Sequence, residues 1–201
     1  MSRLIEQLAA TSPWEAAAVL FGLAYLLLAV RRDILCWICA FVSTSISLVP
    51  VARAGLYMQI ALNVFYLIMA VYGYWQWRTG KDEQGEVRIV RWSWSQHTCA
   101  IGAVFIATVL NGWLLESRTQ AVDPYLDSFV TWGSVLTTFM VARRVIENWL
   151  YWIVVDSAGA LLYFNQQLLA FAMLFLIYVV IVIRGYFVWR ASTPALGTAP
   201  G

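Results

Sequence analysis

Charge is scarce in this chain of 201 residues: Asp, Glu, Lys and Arg make up 12% of it, about half the roughly 25% usual in a soluble domain. Lysine occurs once, at Lys81, and histidine once, at His97. A retinal protein needs a Schiff-base lysine inside a membrane span, and Lys81 stands in a polar connecting segment, so that class is excluded. A single histidine cannot build the nucleophile–base or metal constellation of an intramembrane enzyme. No GxxxxGK[ST] loop occurs, so the chain does not itself hydrolyse ATP. Basic residues are scattered singly or in pairs, which leaves no footprint for a nucleic-acid partner. Of the three cysteines, Cys36 and Cys39 have CxxC spacing, but they lie with Cys99 in apolar stretches and have no second pair. Neither a metal nor a cofactor is expected.

What the chain has in excess is apolar surface. Hydrophobic residues make up 62%, and the mean hydropathy is +0.72. A water-soluble fold of this length leaves too many positions facing solvent to hide that fraction, so lipid is the expected solvent. A span needs roughly 17–25 mostly apolar residues, and such runs predict an all-α protein of seven transmembrane helices at 14–30, 34–52, 56–77, 97–115, 127–142, 147–165 and 168–189. Met1 to Thr11 reads as a weakly amphipathic lead, and the first apolar run is long enough to remain as a span. The one long polar segment, Arg78 to Ser95, predicts a solvated loop or short surface helix between two halves. The tail at 193–201 is expected to be disordered.

Basic residues orient the spans. If the N-terminus is outside, the cytoplasmic side collects ten of the thirteen Lys and Arg residues. Arg31, Arg32, Arg143 and Arg144 are among them. Arg3, Arg53 and Arg118 remain outside. The C-terminus is then cytoplasmic.

Shifting the chain by 112 residues superposes Arg31-Arg32 on Arg143-Arg144, Trp37 on Trp149 and Tyr66 on Tyr178. At the same register Gly73-Tyr74 falls on Gly185-Tyr186 and Trp77-Arg78 on Trp189-Arg190, without a gap. The expectation is one transmembrane domain, 1–192, made of repeat 1 (14–78), a linker helix (97–115) and repeat 2 (127–190). Three spans per unit would invert the second unit; the linker helix restores its direction, giving parallel repeats in a 3+1+3 arrangement. In such a plan the site is expected near the midplane, between the repeats.

One ionisable residue lies deep in a span. Asp156 follows Glu147 by nine residues, which puts it about 13–14 Å into its helix, near the middle of a hydrocarbon core of about 30 Å. Such an acid costs about 2.5–3.5 kcal/mol on insertion scales, and no basic residue lies at matching depth. A cationic ligand would supply the missing charge; a neutral, protonated acid bonded to a neighbouring helix is the alternative. Trp149, Trp152 and Asp156 stand at i, i+3 and i+7 on one helix face, continued by Tyr163 and ending at Gln166. Aromatic faces beside a carboxylate suit a flat cation. Gln59, Asn63 and Tyr66 at i, i+4 and i+7 offer a complementary polar face for hydroxyls or a carboxamide. Asn111 is expected to tie helices together.

The stretch Glu147-Asn148-Trp149-Leu150-Tyr151-Trp152, followed by Asp156 and Tyr163, resembles the WxxWxxxN signature of PnuC-type vitamin transporters. Pro124 to Ser128 and the Gly73-Tyr74 helix end extend the likeness. The resemblance implies a SWEET-like seven-helix plan and facilitated diffusion of nicotinamide riboside or a related vitamin across a bacterial inner membrane. It also implies a homotrimer, and a cytoplasmic kinase that traps the product. Asp156 stands where nicotinamide riboside members typically carry Asn. A fixed anion serves the pyridinium of nicotinamide riboside or the thiazolium of thiamine, and the change leans towards the thiamine-transporting branch. The rival reading is a substrate-capture subunit of an ATP-driven vitamin importer, which is weakened by the parallel repeat.

Overall fold

The computed structural model describes Gln7 and residues 12–53, 57–80 and 87–192. Among them are seven helices: α1 Pro13–Val30, α2 Leu35–Arg53, α3 Tyr57–Thr79, α4 Trp94–Arg118, α5 Pro124–Ala142, α6 Asn148–Asn165 and α7 Leu169–Ala191. Each boundary lies within three residues of the hydropathy reading. The largest shifts fall at both ends of α4 and at the start of α5, and the two starts reflect capping chemistry that hydropathy does not register. Ser93 and Gln96 form a capping box ahead of α4, and Pro124 opens α5 with its φ already helical. Ser12 and Glu15 cap α1 in the same way, with Ser12 N donating to Glu15 Oε2 at 2.8 Å. The expected tail at 193–201 and the 81–86 part of the polar segment lie outside the described residues. The rest of that segment runs as extended chain from Val87: Val90 pairs with Val145 in an isolated parallel bridge, and α4 begins earlier than expected at its end.

The helices close into a ring. α1 packs on α2 and α7, α2 on α3, α3 on α5, α5 on α6, and α6 on α7, whereas α4 lies outside the ring, packed on α5 and tied to α6 by His97, whose Nδ1 is 2.8 Å from the Tyr151 hydroxyl. Asn111, expected as a tie between helices, donates to Ser128 Oγ at 3.0 Å, and the Tyr125 ring lies in the space a Cβ on Gly112 would take. By length and composition, α1, α4 and α7 are long and apolar enough to cross a membrane. α2, α3, α5 and α6 fall below that measure, and they carry polar side chains such as Ser43, Asn63, Ser134 and Asp156. Large apolar side chains, including Leu20, Phe105, Phe171 and Val180, face outward. Helices with an apolar outside and polar groups turned to the centre suit a lipid-embedded bundle around an interior path.

At the end where α1, α3, α5 and α7 finish, four fully or almost fully buried tryptophans make the core. Trp37 meets Trp77 edge-on, with ring centroids 5.6 Å apart, and Trp149 meets Trp189 in the same way at 5.3 Å. Trp77 and Trp189 touch across the middle at 6.0 Å. Trp77 Nε1 donates to the Val141 carbonyl on α5, and Trp189 Nε1 to the Ala29 carbonyl on α1, both at 3.1 Å. Donors and acceptors are each 112 residues apart. The helix ends match as well: Arg32 and Arg144 have φ of 60° and 63°. At each, the N–H of the next residue reaches back five positions to close the turn, Asp33 to Leu28 and Val145 to Met140. This is a Schellman stop built on arginine instead of glycine.

The 112-residue correspondence extends to the glycines beneath the rings. A Cβ on Gly73 would stand 2.4 Å from the Trp37 ring, and one on Gly185 2.7 Å from Trp149. Gly73→Ala and Gly185→Ala should therefore each cost about 1–3 kcal/mol through overpacking, read as a lowered melting temperature of the purified protein. Gly102→Ala, where nothing lies within 4 Å, should leave it unchanged or slightly raised, since alanine is the better helix former.

Candidate functional site

Asp156 sits in the middle of α6, about 12–14 Å from either end of the helix, and is 3% exposed. The ring of helices brings three tyrosines around it. Tyr25 of α1, Tyr66 of α3 and Tyr178 of α7 all lie within electrostatic reach of its carboxyl. Among the described residues no cationic side chain and no hydrogen-bond donor engages that carboxyl. The Tyr66 hydroxyl is within hydrogen-bonding reach of Ser134 on α5. The Tyr178 hydroxyl and Ser43 Oγ of α2 both lie against Gly22 of α1, 3.6 and 3.5 Å from where its Cβ would stand. Residues 22 and 134 differ by 112, as do Tyr66 and Tyr178, so each tyrosine addresses the same position in the opposite half. Every helix of the ring thus contributes to one polar centre, and among the described residues its buried charge-bearing group is an acid.

The structure joins Asp156, Tyr66 and Tyr163 among the expected site residues. Tyr163 lies within reach of both Tyr66 and Tyr178 and packs against Phe171 and Phe175, at ring centroids of 5.4 and 5.1 Å. Trp152 is half-buried and packs against the edge of the tryptophan core. Trp149 shares the α6 face as expected, yet it is fully buried between Trp189 and Gly185, so here it is a packing residue. Asn63 turns its amide back onto the Gln59 carbonyl of its own helix at 2.8 Å. Gln59 is exposed, and neither amide is joined to the acid among the described residues. Gln166 caps the C-terminal end of α6 through its backbone.

Sequence reasoning passed over Tyr25, Ser134 and Tyr178 as site residues. Tyr178 had a signal, since the 112-residue shift already pairs it with Tyr66. Ser134 had one too, in the polar spacing of α5. Tyr25 had none, because it is tertiary packing, with its ring 5.9 Å from that of Trp37 on α2, that turns it inward.

Two grooves, of about 550 and 470 Å³, lie on the outside of the bundle. Phe41, Ile68 and Trp75 line the first, Phe105, Phe129 and Val154 the second, and no expected site residue lines either. Almost wholly apolar walls facing outward suit lipid chains; a water-soluble ligand needs convergent polar groups.

Comparison with known proteins agrees with this architecture. The family profile described as nicotinamide mononucleotide transporter matches residues 12–191. The riboflavin/roseoflavin transporter RibM of Streptomyces davaonensis is 27% identical over 189 residues, covering 90% of this chain and 88% of that protein. The nicotinamide riboside transporter PnuC of Escherichia coli is 22% identical over 211 residues, covering 92% and 87%. A crystal structure of the vitamin B3 transporter PnuC superposes with a TM-score of 0.73 at 19% identity, over 94% of this chain and 88% of that one. At that identity the likeness is one of fold.

The two tryptophans of α6 should separate by experiment. Trp149→Ala empties a closed core site and should cost about 3–5 kcal/mol of stability, seen as a large drop in melting temperature. Trp152→Ala should lower the melting temperature less.

Proposed function

The chain belongs to the nicotinamide mononucleotide transporter family, and on that premise we propose that it imports a cationic heteroaromatic vitamin, thiamine or nicotinamide riboside, by facilitated diffusion. The observation that carries the reading is Asp156, a buried carboxyl without a cationic partner among the described residues, ringed by tyrosines at the centre of the bundle. A pyridinium or thiazolium ring brings the missing positive charge, and the surrounding aromatic faces favour it. The binding surface would draw on Asp156, Trp152, Tyr66 and Tyr163, with Asn63, Gln59 and Gln166 towards the outer mouth.

All seven helices cross the membrane in this reading, as parallel three-helix units around a linker helix. The matched turns at Arg32 and Arg144 and the matched indole bonds of Trp77 and Trp189 support that plan. The bias of basic residues supports a bacterial inner-membrane protein with its N-terminus outside and its C-terminus cytoplasmic. The reading extends to a homotrimer whose imported vitamin is trapped by a cytoplasmic kinase.

A second reading, riboflavin, is favoured by the 27% identity to RibM. Its ring system is neutral, so Asp156 would then serve as a protonated hydrogen-bond donor. Membership of this family weighs against the capture subunit of an ATP-driven importer.

Counterflow in proteoliposomes should exchange labelled vitamin without any ion gradient; strict dependence on a sodium or proton gradient overturns facilitated diffusion. Direct binding of thiamine, nicotinamide riboside and riboflavin ranks the substrates. Asp156→Asn keeps the shape and removes the charge, a loss of about 1.5–3 kcal/mol for a charge-assisted contact. Affinity for a cationic vitamin should fall by about 10- to 150-fold, with affinity for a neutral carbon analogue of the charged ring nearly unchanged. Intact cation affinity with a lowered melting temperature would instead make Asp156 a structural acid.

A further inference from the structure

Seven acidic side chains are described in the structure, and five of them have work. Glu15 closes the α1 capping box, Asp33 accepts from the Leu35 N–H, and Glu147 accepts from the Trp92 N–H. Glu116 accepts from the Tyr125 hydroxyl at 2.9 Å and Asp123 from the Asn165 amide at 2.6 Å. Asp156 and Asp127 are the remaining two. Asp127 is half-buried, and among the described residues nothing donates to it and no cation stands beside it.

Asp127 occupies the first turn of α5. Thr131, Ser134 and Thr138 follow it at i+4, i+7 and i+11, so the four make one stripe along the helix. The opposite stripe, Tyr125, Trp132 and Phe139, faces outward. The polar stripe turns inward, as Ser134 beside the Tyr66 hydroxyl requires. α5 and α6 run antiparallel, joined by residues 143–147 at one end and by the Asp123–Asn165 bond at the other. On that geometry Asp127 lies about 8 Å nearer the outer end than Asp156 along the helix axes. Tyr163, about 3 Å from the outer end of α6, lies within electrostatic reach of Asp127 and of Tyr66 and Tyr178.

We propose that Asp127 is an outer binding station for the cationic ring, and that the α5 stripe from Asp127 to Ser134 is the wall along which the ring passes to Asp156. The proposal rests on the cationic-vitamin reading and its orientation. A cation heading for a single deep carboxylate would cross apolar surroundings without a counter-charge. A second carboxylate nearer the outer end shortens that uncompensated stretch, and a negatively charged mouth also concentrates cations before they enter. A first-turn acid that served only the helix dipole would stabilise α5 without discriminating among solutes.

The test is initial uptake by intact cells expressing the full chain, with labelled thiamine and nicotinamide riboside as cationic probes and riboflavin as the neutral one. Asp127→Asn should raise the apparent KM for the cationic probe about three- to tenfold at low ionic strength while the maximal rate holds within about twofold. The deficit should shrink as salt screens the mouth, and Asp127→Glu should restore the parent value. An active parent whose KM is unmoved by Asp127→Asn overturns the station alone. So does a deficit that is equal for riboflavin or insensitive to salt, because that is a structural effect. A parent that carries riboflavin and neither cation overturns the cationic-vitamin reading, and the station with it.

Discussion

Two indole N–H groups close the ring on which everything else depends. Consecutive helices α1–α2–α3 and α5–α6–α7 are held together by short connections, but the seams between α3 and α5 and between α7 and α1 join helices far apart in the chain. Each of those seams carries one tryptophan-to-carbonyl bond, Trp77 to Val141 and Trp189 to Ala29. Inside a lipid-embedded bundle no gain in hydrophobicity accompanies helix contact, so close packing and hydrogen bonds must hold the helices. Gly73 and Gly185 permit the closeness, each giving a neighbouring tryptophan ring the room a methyl would take.

The ring so closed creates a centre in which an acid can be kept. Asp156 would cost about 2.5–3.5 kcal/mol facing lipid; here Tyr25, Tyr66 and Tyr178 lie within electrostatic reach of it instead. The tryptophan end and the tyrosine centre divide the work. The first is sealed and symmetric in its pairings, while the second departs from symmetry: position 44, which corresponds to Asp156, is a threonine. The frame is near-symmetric, and its buried acid is not.

How much of this was legible in the residues depends on the range of the interaction. Helix existence and order came through almost intact, because a run of some twenty apolar residues is a local property with one stable outcome in lipid. The correspondence of residues 112 apart was equally plain, and it marked the positions that became the tryptophan core. The site was legible only in part. Asp156 announced itself by depth alone, and Tyr66 and Tyr163 by spacing. Trp149 looked like a pocket residue because periodicity places it on the face of Asp156; which part of that face is sealed depends on α7, whose Gly185 and Trp189 arrive from 36 to 40 residues further on.

What the sequence determined by itself was the apolar character that suits lipid, the seven helices, their internal correspondence and the place of Asp156 midway along its helix, all of which follow from local composition and the fixed rise of a helix. What only the tertiary structure decided was which side chains meet that acid. Tyr178 meets Gly22 across the α1–α7 seam, and Ser134 faces Tyr66 through the α3–α5 seam. Both seams join helices without a direct connection in the chain, so no local pattern along the sequence encodes the contacts they make.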